Sequence, residues 1–217
     1  RWTPSGPGST TSTPSSGCPS PVPRVKQRTP ELRDRVLDVA VATLCEDGIS
    51  GFTTRRVAER AGTSVPAVYE LFADKAGLMR AVFFEGFRRL GRELSARPDS
   101  DDPLADLRAV IPVFRRFCRD YPPLARVMFS RPFQDLEPGP EQLSAAPTVR
   151  EIFVGKVARC VDAGVLHGDP TDIAHVLLAL AQGLAVQEGG RWLGTSAASV
   201  NRRWNVGVQA VLAGFGA

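Results

Sequence analysis

The stretch TTRRVAERAGTSVPAVYELFADK, residues 53–75, constrains this chain more than any other part of it. It reads as two short helices joined by a turn. Val57, Ala58 and Ala61 recur at helical spacing, Thr54 stands where an N-cap is needed, and Gly62 supplies the permissive backbone for leaving the helix. Ser64 caps the second helix, and Pro66 falls in its first turn, where a missing N–H costs little. Val68 and Phe72 share one face of that helix, which leaves Pro66, Ala67, Tyr69 and Glu70 on faces that a three-helix core does not cover. Small Ala58 permits close approach and Val68 plugs the angle between the helices. The spacing predicts a helix-turn-helix, the unit that sets its second helix against the major groove of DNA.

The flanking sequence predicts helices throughout. Thr29-Pro30 opens a first helix with the stripe Val36, Leu37, Ala40, Val41 and Leu44, ending at Asp47-Gly48. Asp74 caps a helix whose Leu78, Val82, Phe83, Phe87, Leu90 and Leu94 stay periodic until Arg97-Pro98; it is too long for the small reader and must run into a second domain. Asp102-Pro103 starts the next helix, through Leu107, Val110, Ile111, Phe114 and Phe117, with Pro112 expected to kink it and Tyr121-Pro122-Pro123 to end it. Residues 124–130 make at most a short helix, and the proline-rich run 131–147 is expected to be a loop. Val149, Ile152, Phe153, Val157, Cys160 and Val161 give a clear helix closed near Gly164. Asp169-Pro170 caps a helix that is apolar nearly all round as far as Trp192, and a last helix carries Val200, Trp204, Val208, Val211 and Phe215 on one face. The expectation is an all-α chain in three parts: a tail, 1–29; a reader, 30–76; and a helical body, 77–217, reached through the long helix.

The tail is Ser, Thr, Pro and Gly with few large apolar side chains, too little to offset chain entropy, so it is expected to be flexible. Lys and Arg number 27 against 23 Asp and Glu, and Arg1, Arg24, Lys26 and Arg28 of the tail face no acid there. A basic arm ahead of a helix-turn-helix is placed to meet phosphates or a minor groove, and equally it reads as a solvated leader. Neither a signal-peptide core nor an unbroken membrane-spanning run is present, so no membrane partner and a cytoplasmic protein are expected. Cys18, Cys45, Cys118 and Cys160 lack metal-ligand spacing, and the last three fall in helical patterns that suit packed thiols. His167 and His175 have no partnered Ser, Cys or carboxylate cluster, and no Gly-rich phosphate loop appears. No enzyme, metal site or cofactor is expected.

Residues 35–82 resemble the DNA-binding domain of the TetR family of bacterial transcriptional regulators. The landmarks are the Gly48 break, the Phe52-Thr53-Thr54 entry, Val57-Ala58 with Ala61-Gly62, the pair Tyr69 and Phe72, and Lys75 followed by Leu78. The resemblance implies an all-helical subunit with an N-terminal reader and a C-terminal ligand and dimerisation domain. It also implies that the start of the second helix and the outer face of the third meet DNA, which here means Thr54, Arg55, Thr63, Ser64, Pro66, Ala67, Tyr69 and Lys75. Among these Arg55 suits a bidentate pair with guanine, Tyr69, Thr54 and Lys75 suit phosphates, and Pro66 and Ala67 suit thymine methyls. In the C-terminal half, YPPLARVMFSRPF, AGVL and ALAQGLAVQE are similar to a C-terminal family named for a Trp-His-Gly signature, with Gln182-Gly183 where His-Gly would stand.

Three further expectations follow: because the helix from Thr171 is apolar on more faces than one subunit covers, a homodimer through the last two helices, and with it a palindromic operator; and, chiefly from the TetR resemblance, a small apolar or aromatic effector that releases the DNA. Phe83, Phe87, Phe114, Phe117, Tyr121, Met128, Phe129 and Phe153 are the side chains placed to line an effector site, although at helical spacing they also suit a core. The alternative is a dimeric helix-turn-helix DNA binder with no effector.

Overall fold

A computed structural model of the chain describes residues 29–129 and 149–216. The basic arm, Cys18 and the proline-rich run 131–147 lie outside the described residues. Those described form nine helices: α1 Pro30–Gly51, α2 Thr54–Arg60, α3 Val65–Phe72, α4 Lys75–Ser95, α5 Pro103–Asp120, α6 Pro122–Phe129, α7 Val149–Asp162, α8 Pro170–Gly189 and α9 Ala197–Phe215. The only extended pairing among them is a single bridge between Leu166 and Gly216. The fold class is therefore all-α, with a helix-turn-helix followed by a helical body.

Local chemistry sets most of the boundaries. Thr29, Ser64, Asp74, Asp102 and Asp169 each accept a backbone N–H at the start of their helix, as caps should. α1 carries a non-helical residue at Gly48 (φ 69°), the break expected there, before a last turn to Gly51. α5 continues through Pro112 to Asp120. A proline after Tyr121 starts the eight-residue α6.

α1 packs on α2 and also on α4 and α6, so reader and body share one continuous core instead of meeting across a linker. Behind α4 lie α5 and α7; α8 packs on α5 and α7, and α9 on α8. The interior holds acids as well as hydrocarbon. Glu85 on α4 is only 4% exposed and is paired with Arg88 and with Arg89, whose other end reaches Asp38 of α1 at 2.6 Å. Burial by itself would raise the Glu85 carboxyl, but the hydrogen bonds and charge of Arg89 and Arg88 outweigh it and hold the group below its ordinary value. Buried Asp106 of α5 accepts from Arg159 of α7 at 2.7 Å and from Ser100, and these bonds hold its carboxyl well below the usual range.

A third cluster joins α5, α8 and α9. Arg115 is bidentate to Glu188 at 2.7 and 2.8 Å, lies 5.3 Å from the Trp204 ring centroid, and donates to Asn201, while the Trp204 indole N–H donates to Glu188 at 2.7 Å. The neighbouring Cys118 thiol is pushed up to about 12 by burial and by the Glu188 charge. Such a thiol stays protonated and serves as packing, as the helical pattern suggests.

Candidate nucleic-acid interface and the aromatic cluster behind it

The turn between α2 and α3 follows from its sequence. Thr63 N–H bonds back to the Ala58 carbonyl at 2.9 Å and Gly62 N–H to Glu59 at 3.2 Å, the paired bonds that close a helix through a left-handed residue. Gly62 takes that conformation at φ 65°, where a side chain would be strained. Ser64 Oγ then accepts from Ala67 N–H at 3.3 Å and starts α3. Val68 and Phe72 point inward, Phe72 under the Arg33 guanidinium at 5.2 Å, while Ser64, Pro66 and Tyr69 are exposed and Ala67 is half-buried.

The structure corrects the cap of α2. Thr53, not Thr54, is the N-cap, accepting from Arg56 N–H at 3.2 Å. Thr54 is the first helical residue, 5% exposed, and its Oγ1 has no hydrogen-bond partner. The reason is periodicity: Thr54 shares its face with Val57, Ala58 and Ala61, all of which are core. Of the two threonines only Thr53 offers a side chain at the surface, a position that sequence reading passed over because adjacent threonines offer the same hydroxyl. Thr63 is half-buried, with its Oγ1 turned inward.

The cations of α2 are held in pairs. The Arg55 side chain is 84% exposed and its Nε donates to Glu59 at 2.9 Å, Arg56 pairs with Asp47, and Arg60 pairs with Glu46. An exposed i,i+4 pair, screened by solvent, contributes little, so a phosphate or a guanine edge can take Arg55 from Glu59 at small cost. Lys75, at the first position of α4, is exposed beside the Asp74 cap. Arg55, Ser64, Pro66, Tyr69 and Lys75 thus present side chains at the surface; Thr54 does not.

α4 joins this surface to the body without a break, and Gly77 fixes the junction. A Cβ there would lie 1.9 Å from the Phe72 carbonyl oxygen, so only glycine lets α3 and α4 meet this closely. Six residues on, a run of rings begins on α4 and crosses to its neighbours: Phe83 to Phe87 at 5.1 Å, Phe87 to Phe129 at 5.9 Å, Phe129 to Phe114 at 5.5 Å and Phe114 to Phe153 at 6.3 Å. Phe117 and Tyr121 form a separate pair at 5.2 Å. Phe114, Phe117, Phe153 and Met128 are buried, whereas Phe83, Phe87, Tyr121 and Phe129 are half-buried. The cluster draws on α4, α5, α6 and α7, with Phe129 linking the α4 rings to those of α5.

The remaining candidates have plain structural roles. His175 Nδ1 lies 2.8 Å from the Thr171 carbonyl one turn back, and the backbone N–H of His167 donates to the backbone carbonyl of Phe215 at 2.7 Å. Among the described residues no group of His, Cys, Asp and Glu is arranged to hold a metal ion, and no helix is long and apolar enough to cross a membrane.

Comparison with known proteins agrees with the geometry. Residues 36–82 match the family model described as bacterial regulatory proteins, tetR family, and residues 107–211 match a tetracyclin repressor-like C-terminal domain. The HTH-type transcriptional repressor KstR of Rhodococcus jostii RHA1 is 23% identical over 74% of this chain and 85% of its own length. The class C tetracycline repressor protein of Escherichia coli is 35% identical over 44% of this chain, and the regulator BetI of Paraburkholderia xenovorans LB400 is 35% identical over 36% of it. Those two alignments span only 43% and 42% of the respective relatives.

Solved structures show the same fold. A Rhodococcus sp. RHA1 protein of unknown function aligns with TM-score 0.72 at 24% identity, covering 90% of this chain and all of that one. A TetR variant of Acinetobacter baumannii AYE in complex with minocycline aligns with TM-score 0.60 at 19% identity, covering 82% of this chain and 93% of that one. With both the reader and most of the body matched, the chain belongs to the TetR family of DNA-binding transcriptional regulators.

Proposed function

We propose that this regulator represses transcription as a symmetric homodimer on a palindromic operator and is released by a small apolar or aromatic molecule. The observation that carries the reading is the continuity of α4, which starts at the reader with Lys75 and carries Phe83 and Phe87 into a ring-to-ring cluster with α5, α6 and α7. A molecule lodged among those rings favours one tilt of α4 over another, and in a dimer that tilt sets the distance between the two α3 helices. A coupling of about 1–3 kcal/mol weakens operator binding roughly five- to 150-fold, and linkage makes the operator weaken the effector by the same factor. On the DNA side Thr53 takes the place first given to Thr54, alongside Arg55, Ser64, Pro66, Ala67, Tyr69 and Lys75, with half-buried Thr63 in support.

The dimer reading rests on α8 and α9. Val176, Ala179, Gly183 and Val186 are exposed at three- and four-residue steps on α8, and Val206, Ala210 and Ala213 are exposed on α9. Water-facing stripes of this kind on adjacent helices suit a two-fold helical bundle. Val208 of α9 and Leu184 of α8 turn inward and are not available to a partner: Val208 is buried, and Leu184 is half-buried in the core with its Cδ1 3.5 Å from where a Cβ on Gly207 would lie. Val186→Glu with Val206→Glu should therefore yield soluble monomers by sedimentation, and dimers that persist would refute this interface.

The effector is tested by thermal-shift screening of small aromatic molecules, followed by operator titrations with and without each hit. A hit that binds tightly and leaves operator affinity unchanged overturns release by effector. One observation favours that second reading, a dimer with no effector: Phe114, Phe117 and Phe153 are fully buried, as core residues are.

A further inference from the structure

The recognition helix is short of the side chains that usually read bases. Val65–Phe72 contains no Arg, Lys, Asn, Gln or His, the residue types that pair with guanine and adenine edges in the major groove. Its first turn is the part a helix-turn-helix sets against base edges, and what that turn presents is Ser64, Pro66 and Ala67. Ser64 Oγ already accepts from Ala67 N–H at 3.3 Å, which leaves its own O–H to donate, as a phosphate oxygen requires. Pro66 has no N–H and is exposed, so it offers hydrocarbon alone; Ala67 offers one methyl and is small enough to let the helix axis come close. The cations stand to either side, Arg55 on α2 and Lys75 on α4.

We propose that α3 reads its half-site through the 5-methyl groups of pyrimidines, with Pro66 and Ala67 as the contact, and that it accepts 5-methylcytosine where it accepts thymine. Thymine and 5-methylcytosine carry the same methyl on the same edge and differ in the neighbouring group, O4 against an N4 amine. Neither Pro66 nor Ala67 has a side-chain hydrogen-bonding atom with which to tell those two apart. Removing the methyl, by contrast, leaves an apolar surface facing a gap. Cytosine methylation within an operator would then raise affinity for this protein. The proposal rests on the DNA-reading role of α3 and adds the chemical feature that α3 recognises.

The test begins with selection of bound sequences from random duplex DNA by the full chain. Each thymine of the recovered half-site is then replaced by deoxyuridine, which removes the methyl and nothing else. At one or two positions Kd should rise about fourfold, the factor that corresponds to one buried methyl-sized group. At those positions a 5-methylcytosine·guanine pair should bind close to thymine·adenine, and unmethylated cytosine·guanine close to uracil·adenine. Pro66→Ala, which is compatible with a first helical turn, should flatten the uracil effect at one position while helicity and binding to random DNA persist. If the selection returns a defined operator but uracil is neutral at every thymine, or 5-methylcytosine binds no better than cytosine, methyl reading is wrong and the DNA-reading role stands. If no preferred sequence is recovered, both fall together.

Discussion

In the reader, the core is built mainly of small aliphatic side chains, Val36, Ala40, Val57, Ala58 and Val68, and charge stays outside in pairs such as Arg55 with Glu59. In the body the core is mostly larger aliphatic side chains, Leu90, Leu107, Ile173 and Leu177 among them, threaded by Phe114, Phe117 and Phe153, and charge goes inward: Glu85 beneath its arginines and Asp106 under Arg159 are buried, and Glu188 is half-buried between Arg115 and Trp204. The difference matters because the two kinds of pair do different things. An exposed pair adds little to stability and exchanges readily, so the reader's cations remain available to phosphates. A buried or half-buried pair that spans two helices, as Asp106 with Arg159 and Glu188 with Arg115 do, ties them to one relative position, because breaking it strands a charge. The reader is thus built to trade partners, and the body to hold helices in register.

The largest expected effect tests whether the two regions are one cooperative unit. Phe153→Ala empties a fully buried site in the body and should cost about 3–5 kcal/mol, measured by urea denaturation. Because α1 is cored jointly with α4 and α6, the reader should unfold in the same transition, and two separated transitions would break the comparison as drawn. Gly77→Ala comes next, at about 1–3 kcal/mol, since its Cβ would meet the Phe72 carbonyl; operator binding should suffer more than in an equally destabilised body variant. Equal loss of affinity for both variants would show that the α3–α4 junction has no special part in reading DNA.

Arg55→Ala sharpens the account of exchangeable pairs. It should weaken operator binding by about 1–3 kcal/mol and relax preference at one base pair, with stability nearly unchanged, whereas Lys75→Ala should weaken all sequences alike and flatten the salt dependence. Identical losses on operator and random DNA for both would remove Arg55 as a base reader. The smallest effect is silent at neutral pH. Asp106 and Glu85 have folded values below their unfolded ones, so the stability they confer is complete above about pH 5 and is lost as pH falls through the folded values. Urea midpoints should decline on acidification, less steeply in Asp106→Asn; parallel curves would mean that this buried acid is not what the body depends on.

How much of this was legible in the sequence divides along the same line. The reader follows local rules, so Ser64 and Asp74 as caps, Gly62 as the turn and Val68 with Phe72 as the inner face could all be read from spacing. The slip at Thr54 came from a choice between neighbours that only the face shared with Val57 and Ala61 settles. In the body the helices were legible but their partners were not. Glu85 stands three and four residues from arginines, which reads as a solvated ladder, and it is the packing of α4 against other elements that buries it. Val208 lies on the apolar face that spacing gives α9, but that this face is spent on α8, while Val206 is left in water, depends on where α8 lies. Arg115, Glu188 and Trp204 come from three helices, and nothing in their spacing announces that they meet.

The seat of α1 on α4 and α6 bears on attempts to recombine regulators of this type. Cutting at residue 76 and joining the front to another body would leave the inner side of α1 facing foreign side chains, and Asp38 would lose Arg89. A hybrid would have to carry matching α4 and α6 surfaces along with the DNA-reading segment, so the exchangeable cassette is larger than the unit that touches the operator.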